Sequence, residues 1–251
     1  MDKPNLITSN EVAIQIRDLS KSFGNQHVLI NMNMDLFKGE NLAVLGKSGS
    51  GKSVLLKCIV GLVSPEKGSI IVFDKDVLNL GQDELDKIRM KIGFLFQSNA
   101  LYDSMSVREN LEFPLRRLGL KYSKKEVDDM VFEALSNVGL PDTADKMPAE
   151  LSGGMKKRIA LARTLMMRPD IILYDEPTTG LDPITSREIS NLIVSVQEKY
   201  NSSSIIITHD INCVRIVADR IIMLIDGFAF AEGSFSQLSK SDDPQVKSFF
   251  E

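Results

Sequence analysis

The stretch that decides the fold is Gly46-Lys47-Ser48-Gly49-Ser50-Gly51-Lys52-Ser53, which lies between two apolar runs. Residues 41–45 have the length and composition of a buried strand, and residues 54–62 carry apolar side chains at helical spacing. A glycine, four residues, a second glycine, a lysine and a serine follow the P-loop spacing. The sequence therefore predicts a strand, a phosphate-binding loop and a helix, in that order.

Each fixed position of this loop has a chemical reason. Glycines let the backbone wrap closely enough for successive N–H groups to point at an anion. We expect Lys52 beside the β- and γ-phosphates of a nucleotide, and the hydroxyl of Ser53 on Mg2+. The predicted nucleotide contacts in this loop are Gly46, Ser48, Gly49, Ser50, Gly51, Lys52 and Ser53. A glycine- and serine-rich turn without a ligand is the alternative interpretation.

Composition sets limits on the class of protein. The chain has 251 residues, of which 43% are hydrophobic and 25% charged, so it is neither disordered nor fibrous. Its formal net charge of -4 provides no general attraction to nucleic acid or to an anionic membrane. Cys58 and Cys213 lie in apolar-periodic runs, which indicates buried thiols in a reducing compartment. Residues 1–10 show no export signal, and no apolar stretch approaches 18 residues, so we expect another chain to cross any membrane involved.

Two acids directly follow an apolar run. Residues 171–174 predict a buried strand, and Asp175 and Glu176 come immediately after it. Ligands of α/β sheets bind at the carboxyl ends of the strands, and successive side chains point in opposite directions. We therefore expect one of these two carboxylates to face Mg2+ and the other to face a water molecule. Two solvated loop acids are the alternative.

Gln97 and His209 stand at comparable positions. Gln97 ends the apolar run at residues 92–96, and His209 follows the run at residues 204–208. A histidine at the end of a core strand can polarise a phosphate or a water molecule, although a lone histidine is as often structural.

A second glycine-rich helix start occupies residues 151–158, Leu-Ser-Gly-Gly-Met-Lys-Lys-Arg. The hydroxyl of Ser152 and the bare N–H groups of Gly153 and Gly154 would lie at the positive end of a helix, which is an anion site. A tight Gly-Gly turn is the alternative. Further along, Asp182 is predicted to cap a helix that starts at Pro183.

The remaining pattern predicts β structure at both ends of the chain. Residues 12–16 and 28–36 read as antiparallel strands, with Phe23 in the turn region between them. Phe23 can stack an adenine ring, and an ordinary core aromatic is the alternative. Asp226-Gly227 predicts a type I′ hairpin, and the polar tail at residues 232–251 predicts one short helix.

Residues 98–150 change to helical character. Residues 107–118 predict a helix containing Pro114, and residues 122–139 predict an amphipathic helix with a capping box made by Ser123 and Glu126. Five basic residues here form either a solvated face or a surface for a partner: Arg116, Arg117, Lys121, Lys124 and Lys125.

Taken in order, these sites resemble the ATP-binding cassette (ABC) family over essentially the full length. The resemblance implies an α/β fold: a P-loop NTPase RecA-like core, an N-terminal antiparallel β subdomain and an inserted α-helical subdomain. It implies a single nucleotide-binding domain over residues 1–251, with the core at 1–97 and 160–251 and the helical subdomain at about 98–159.

The resemblance also implies roles for the singled-out residues. Residues 46–53 match the Walker A motif, Gln97 the Q-loop and residues 151–155 the signature motif. Residues 171–175 match the Walker B motif, followed by Glu176 as the catalytic glutamate. Asp182 matches the D-loop and His209 the switch histidine, while Phe23 takes the adenine-stacking position. Lys52 and His209 would stabilise the transferring phosphoryl group, and Ser53, Gln97 and Asp175 would hold Mg2+.

By the same resemblance, two copies meet head to tail, and residues 152–154 of one copy complete the γ-phosphate site of the other. ATP would close this dimer and hydrolysis would open it. The cofactors implied are ATP and Mg2+.

A finer resemblance is to the ATPase of the Mce/Mla phospholipid transporters. It rests on residues 151–158, with Met155 where many cassettes have glutamine, on residues 100–107 and on the ending at residues 243–250. It implies a subunit on the cytoplasmic face of the inner membrane, paired with an integral-membrane permease that docks at residues 97–107 and the helical insert. An Mce-domain lipid-binding protein and a small regulatory subunit are further implied partners, and nucleic acid is not. A small-solute importer or exporter and a non-transport ATP-gated switch remain the alternatives.

Overall fold

The computed structural model describes residues 11–251, so the expectation about an export signal in residues 1–10 lies outside it. The strands are β1 Val12–Phe23, β2 Gln26–Phe37, β3 Asn41–Leu45, β4 Lys67–Val72, β5 Lys75–Asp76, β6 Ile92–Leu95, β7 Ile171–Asp175, β8 Ser203–Thr208, β9 Arg220–Ile225 and β10 Phe228–Gly233. The helices are α1 Lys52–Ile59, α2 Gln82–Arg89, α3 Val107–Arg117, α4 Lys124–Asn137, α5 Gly153–Leu165, α6 Pro183–Tyr200, α7 Ile211–Val217, α8 Phe235–Leu238 and α9 Pro244–Lys247.

A six-stranded sheet in the order β10-β9-β3-β8-β7-β6 forms the core, and it is parallel except for β10. Strands β3, β7 and β8 are buried along their whole length. Helices cover such strands on both faces, which is why their sequences are continuous apolar runs and not alternating ones.

The register brings separate parts of the chain to one edge of this sheet. Leu45 pairs with Thr208, and Asp175 pairs with Ile207. The residues that follow β3, β8 and β7 therefore emerge side by side. This confirms the carboxyl-edge placement expected from the sequence.

A second, antiparallel sheet in the order β2-β1-β4-β5 packs beside the first. Its first strand continues to Phe23, beyond the predicted end at residue 16, because β1 bends through several register shifts while it pairs with β2 and β4. Apolar residues from both sheets and from α1 form one buried cluster.

The two helices predicted at residues 107–118 and 122–139 are present as α3 and α4. Capping boxes start α3, through Ser106 and Glu109, and α4, through Ser123 and Glu126. Pro114 lies inside α3. The apolar sides of α3, α4 and α5 pack into a second cluster.

Three further local expectations were wrong. Strand β6 ends at Leu95, before Phe96. Residues 69–73 also predict a strand through Phe73, but β4 ends at Val72 because Phe73 adopts a left-handed backbone with φ 48°. The tail does not form one helix: β10 extends to Gly233, and the short helices α8 and α9 follow.

The turn between β9 and β10 agrees with its prediction. Asp226 and Gly227 have φ 50° and 85°, as the predicted type I′ turn requires. Within residues 11–251, no helix is long and apolar enough to cross a bilayer.

Candidate functional site

The glycine-rich loop between β3 and α1 is held by close backbone packing. A Cβ atom on Gly46 would lie 2.6 Å from the carbonyl oxygen of Leu224, and one on Gly51 would lie 2.7 Å from that of Val28. Gly51 also has φ +100°. Glycine is therefore required at both positions for the loop to adopt this path.

Lys52, at the start of α1, is turned back into the loop. Its side chain is only 4% exposed, and its Nζ donates hydrogen bonds to the carbonyl oxygens of Gly46 at 2.8 Å and Lys47 at 3.0 Å. The same Nζ lies 3.3 Å from Oε1 of Glu176. A buried positive charge therefore stands between the loop and the predicted catalytic acid.

Ser53 and Asp175 come together although 122 positions separate them. The Ser53 hydroxyl donates to Oδ1 of Asp175 at 2.9 Å. Burial raises the pKa of Asp175, and the hydrogen bond from Ser53 partly opposes that rise. A hydroxyl and a carboxylate at this distance are oxygen donors of the kind that Mg2+ prefers.

Glu176 has an unusual backbone and three side-chain partners. Its φ is 50°, a left-handed conformation that non-glycine residues rarely adopt. Its Oε2 lies 2.9 Å from Nδ1 of His209 and accepts a hydrogen bond from the Thr179 hydroxyl at 3.1 Å. Burial opposes the charge on this carboxyl, but the contacts with His209 and Lys52 outweigh burial, so its pKa is lowered. Glu176 is therefore held as a carboxylate, the form that can accept a proton from water.

An open cleft of about 430 Å³ joins most of the residues singled out from the sequence. It is lined by Phe23, Val28, Ser48, Gly49, Gly51, Lys52, Ser53, Val54, Gln97, Glu176, Thr179 and His209. Phe23 lies at the rim with 51% of its surface exposed, and Nζ of Lys21 lies 5.0 Å from its ring centre. Parts of the chain more than 180 residues apart thus meet around one space large enough for phosphates and a nucleoside.

The second predicted anion segment lies away from this lining. Ser152 caps α5 by accepting a hydrogen bond from the N–H of Met155, and Ser152 and Gly153 are exposed. Gly154 is buried against Thr185, and a Cβ atom there would lie only 2.6 Å from Cγ2 of Thr185. Asp182, which caps α6 as predicted, accepts from the N–H of Thr185. The structure therefore groups Ser152, Gly153, Gly154 and Asp182 at a surface separate from the cleft lining.

Sequence reasoning missed Thr179, Val28 and Val54, which line the cleft. Thr179 lies in the turn after Glu176, and its N–H donates to the Glu176 carbonyl oxygen at 3.3 Å. A threonine three residues after a strand-end acid can close such a turn with both its backbone and its hydroxyl, which is the signal that was available. Val28 carries no chemical signal, because only its backbone and methyl groups approach Gly51.

Phosphoryl transfer from a nucleotide to water is the chemistry this cleft suits. A glycine-rich turn at a helix start binds phosphate, a buried ammonium group attracts its charge, and a carboxylate held beside both can orient water. The sheet order and the loop after β3 place the chain among P-loop NTPases.

Comparisons with known proteins narrow that class. The family model described as ABC transporter matches residues 29–179. The probable ribonucleotide transport ATP-binding protein mkl of Mycobacterium leprae is 41% identical over 95% of this chain and 68% of its own length. The intermembrane phospholipid transport system ATP-binding protein MlaF of Haemophilus influenzae is 38% identical over 96% of this chain and 90% of its own.

A solved structure of an ATP-binding cassette also resembles this chain. The dimeric ATP-binding cassette in a post-hydrolysis state, bound to ADP and Pi, superposes with a TM-score of 0.80 and 35% identity, covering 88% of this chain and 98% of its own. The chain belongs to the ABC transporter family, and it is an ATP-binding cassette that hydrolyses ATP for transport. Both the family and the fold expected from the sequence are confirmed.

Proposed function

We propose that this chain powers a transporter that moves phospholipids between an inner and an outer membrane. The observation that supports this cargo is the similarity to the intermembrane phospholipid transport protein MlaF, which extends over 96% of this chain and 90% of that one. The match thus covers helices α3 and α4 as well as the nucleotide cleft.

In the proposed mechanism, ATP binds in the cleft lined by Phe23, Ser48 and Gln97. Phe23 stacks on the adenine, and the loop at residues 46–53 holds the phosphates. Glu176 orients the attacking water and accepts its proton, while Lys52 and His209 stabilise charge on the transferring phosphoryl group.

The proposed magnesium ligands are Ser53 and Asp175, with Gln97 directly or through water. Within the described part of the chain, no three histidine, cysteine or acidic side chains cluster as a metal site. This fits Mg2+, which is held by one or two protein oxygens together with phosphate and water. When bound, the ion would neutralise charge on the β- and γ-phosphates.

Two copies of the chain would share each nucleotide. Ser152 and Gly153 are exposed outside the cleft of their own chain, so a phosphate bound in that cleft can meet such a segment only from a second copy. The similarity to a cassette solved as a dimer supports this arrangement. We assign Ser152, Gly153, Gly154 and Asp182 to the shared interface.

The proposed location is peripheral, on the cytoplasmic face of the inner membrane beneath a permease. An open groove of about 460 Å³ lies between α2, β6 and α3, with Met90, Phe94 and Leu118 among its lining residues. We assign permease docking to this groove and to residues 97–107. An Mce-domain protein and a small regulatory subunit complete the proposed assembly, without nucleic acid.

A small-solute transporter is the second candidate, and one observation favours it. The relative named for ribonucleotide transport is 41% identical to this chain. Both candidates use the same ATPase, so ATP hydrolysis measured without added cargo cannot distinguish them.

The test is to purify the protein from membranes with its permease, reconstitute the complex and measure ATP hydrolysis. Phospholipid in the purified complex, and hydrolysis that rises when phospholipid acceptor vesicles are supplied, would support the lipid assignment. A complex that contains no phospholipid and whose hydrolysis responds to nucleosides or other small solutes would contradict it. The Glu176→Gln variant serves as the control for hydrolysis by contaminating ATPases.

A further inference from the structure

Lys157 is a buried lysine to which neither the sequence pattern nor the proposed mechanism gives a role. It lies in the second turn of α5 and is 3% exposed. Its Nζ donates to the carbonyl oxygen of Gln97 at 2.7 Å and approaches that of Glu176 at 3.5 Å. One ammonium group therefore joins α5 to the chain segments that follow two neighbouring strands, β6 and β7.

Packing alone does not account for a lysine here. Burial lowers the pKa of Lys157, which measures the cost of keeping this charge away from water. The negative charges of Asp175 and Glu176 oppose this lowering, but they offset only part of the cost of burial. A methionine would fill similar space without the desolvation penalty.

The acceptors of Lys157 are backbone atoms of the candidate site itself. The Glu176 carbonyl also accepts from the N–H of Thr179 at 3.3 Å, and the N–H of Glu176 donates to Ile207 at 3.0 Å. These bonds surround a residue whose φ is 50°, and such a strained backbone persists only when its neighbours fix it. Lys157 is the part of that support that comes from α5.

Helix α5 begins at Ser152, Gly153 and Gly154, the segment we assign to the second nucleotide-contacting surface. A helix moves as a rigid element, so a displacement of this segment also moves Lys157, which lies only three positions beyond Gly154. The Lys157 ammonium would then shift the carbonyls of Gln97 and Glu176 together.

We infer that Lys157 is a positioning residue for ATP hydrolysis, which fixes the Glu176 backbone according to the position of the α5 N-terminus. It contacts neither nucleotide nor water in this role and acts through Glu176. The inference rests on the proposed role of Glu176, but it does not depend on which cargo is transported.

Its test compares Lys157→Met with Lys156→Met in the purified full-length protein. Lys156 is the neighbouring, half-buried lysine of the same helix, so the pair matches the chemical change and varies the position. We expect Lys157→Met to lower kcat about 10- to 100-fold, the scale of a small misplacement of a catalytic group, and to leave KM for ATP within about twofold. Lys156→Met should leave both within about twofold.

A double-mutant cycle separates positioning from general damage. In a Glu176→Gln background, we expect Lys157→Met to lower the residual single-turnover rate less than about threefold, since the group it positions is already disabled. Lys157→Arg, which keeps charge and donors, should recover most of the lost kcat. If Lys157→Met does not fold, Lys157→Arg against Lys157→Gln provides the same comparison of charge kept and charge removed.

Three outcomes would overturn the inference: an unchanged kcat, a loss of equal size in both backgrounds, or a raised KM with normal kcat. Hydrolysis by Glu176→Gln at the wild-type rate would instead refute the role of Glu176. Failure of the phospholipid assignment would change none of these measurements.

Discussion

Two helix starts in this chain, at Gly51 before α1 and at Ser152 before α5, use similar small residues in different ways. Gly51 has φ 100° and caps α1 without any side-chain hydrogen bond, so the first N–H groups of that helix stay available to a ligand. Ser152 is extended and caps α5 with its own hydroxyl, which accepts from Met155. One helix start leaves its donors open, and the other satisfies part of them internally.

The two helix starts also differ in the side chains that surround them. The first loop, with the Lys52 side chain turned back into it, faces Glu176 and His209 of its own chain across the cleft. Ser152 and Gly153 face outwards, and the nearest neighbour of the buried Gly154 is Thr185. Local sequence thus makes two helix starts that we propose bind anions, but only the first lies beside the proposed catalytic residues of its own chain.

The largest expected effect concerns hydrolysis at the first site. Glu176→Gln removes the proton acceptor while keeping the side-chain volume, so kcat should fall about 10³-fold while ATP binding is retained. The trapped nucleotide should also hold two copies together, which light scattering with Mg-ATP would detect.

Glu198→Gln, the same change on the exposed face of α6, is the control and should hydrolyse normally. A Glu176→Gln protein that hydrolyses at the wild-type rate would contradict the role of Glu176, and one that stays monomeric with Mg-ATP would contradict the shared-nucleotide arrangement.

Next in size is the loss of charge from the first loop. Lys52→Met removes the ammonium group and its bonds to Gly46 and Lys47, so ATP affinity should fall about 10- to 100-fold, the scale of hydrogen bonds to charged groups. Titration of the isolated chain with a fluorescent ATP analogue measures this. Unchanged affinity would show that the loop at residues 46–53 does not hold phosphate through Lys52.

A smaller effect is expected from the packing of the second helix start. In Gly154→Ala the new methyl would meet Cγ2 of Thr185 at 2.6 Å, and such overpacking costs about 1 to 3 kcal/mol of unfolding free energy. Thermal unfolding would measure the loss. The double variant Gly154→Ala, Thr185→Ser lacks the clashing methyl and keeps a hydroxyl for Asp182, so it should recover most of the stability. If the double variant does not recover stability, the loss in Gly154→Ala arises elsewhere in α5 and not from contact with Thr185.

The smallest effect should come from the cap itself. Ser152→Ala removes one N-cap hydrogen bond, worth about 1 kcal/mol, so Tm should fall by about 2 to 4 °C. ATP affinity of the isolated chain should stay within about twofold, because Ser152 lies outside the cleft lining. A large loss of affinity in the monomer would show that both helix starts contact nucleotide bound to the same chain. That result would contradict the proposed difference between the two helix starts.

Much of the site could be predicted because its residues follow buried strands. An apolar run that stops at Asp175 or His209 predicts both the strand and the edge at which the side chain emerges, since parallel strands share that edge. Lys157 could not be found in this way, because its acceptors are main-chain carbonyls more than 15 positions away. The ends of β4 and β6 were misplaced because Phe73 and Phe96 have strand-like composition, although each strand ends one residue earlier and Phe73 itself has φ 48°.

The sequence by itself determined the glycine-rich loop before α1, the caps of α4 and α6, and the polar residues that follow the buried strands. These are local properties, because they depend on backbone freedom, hydrogen bonding and periodicity within a few residues. Only the tertiary structure decided which side chains meet: Ser53 with Asp175, Lys52 with Glu176, and Lys157 with two carbonyls. Those contacts depend on strand order and helix packing, which are set by burial of the whole core and not by any short stretch of the chain.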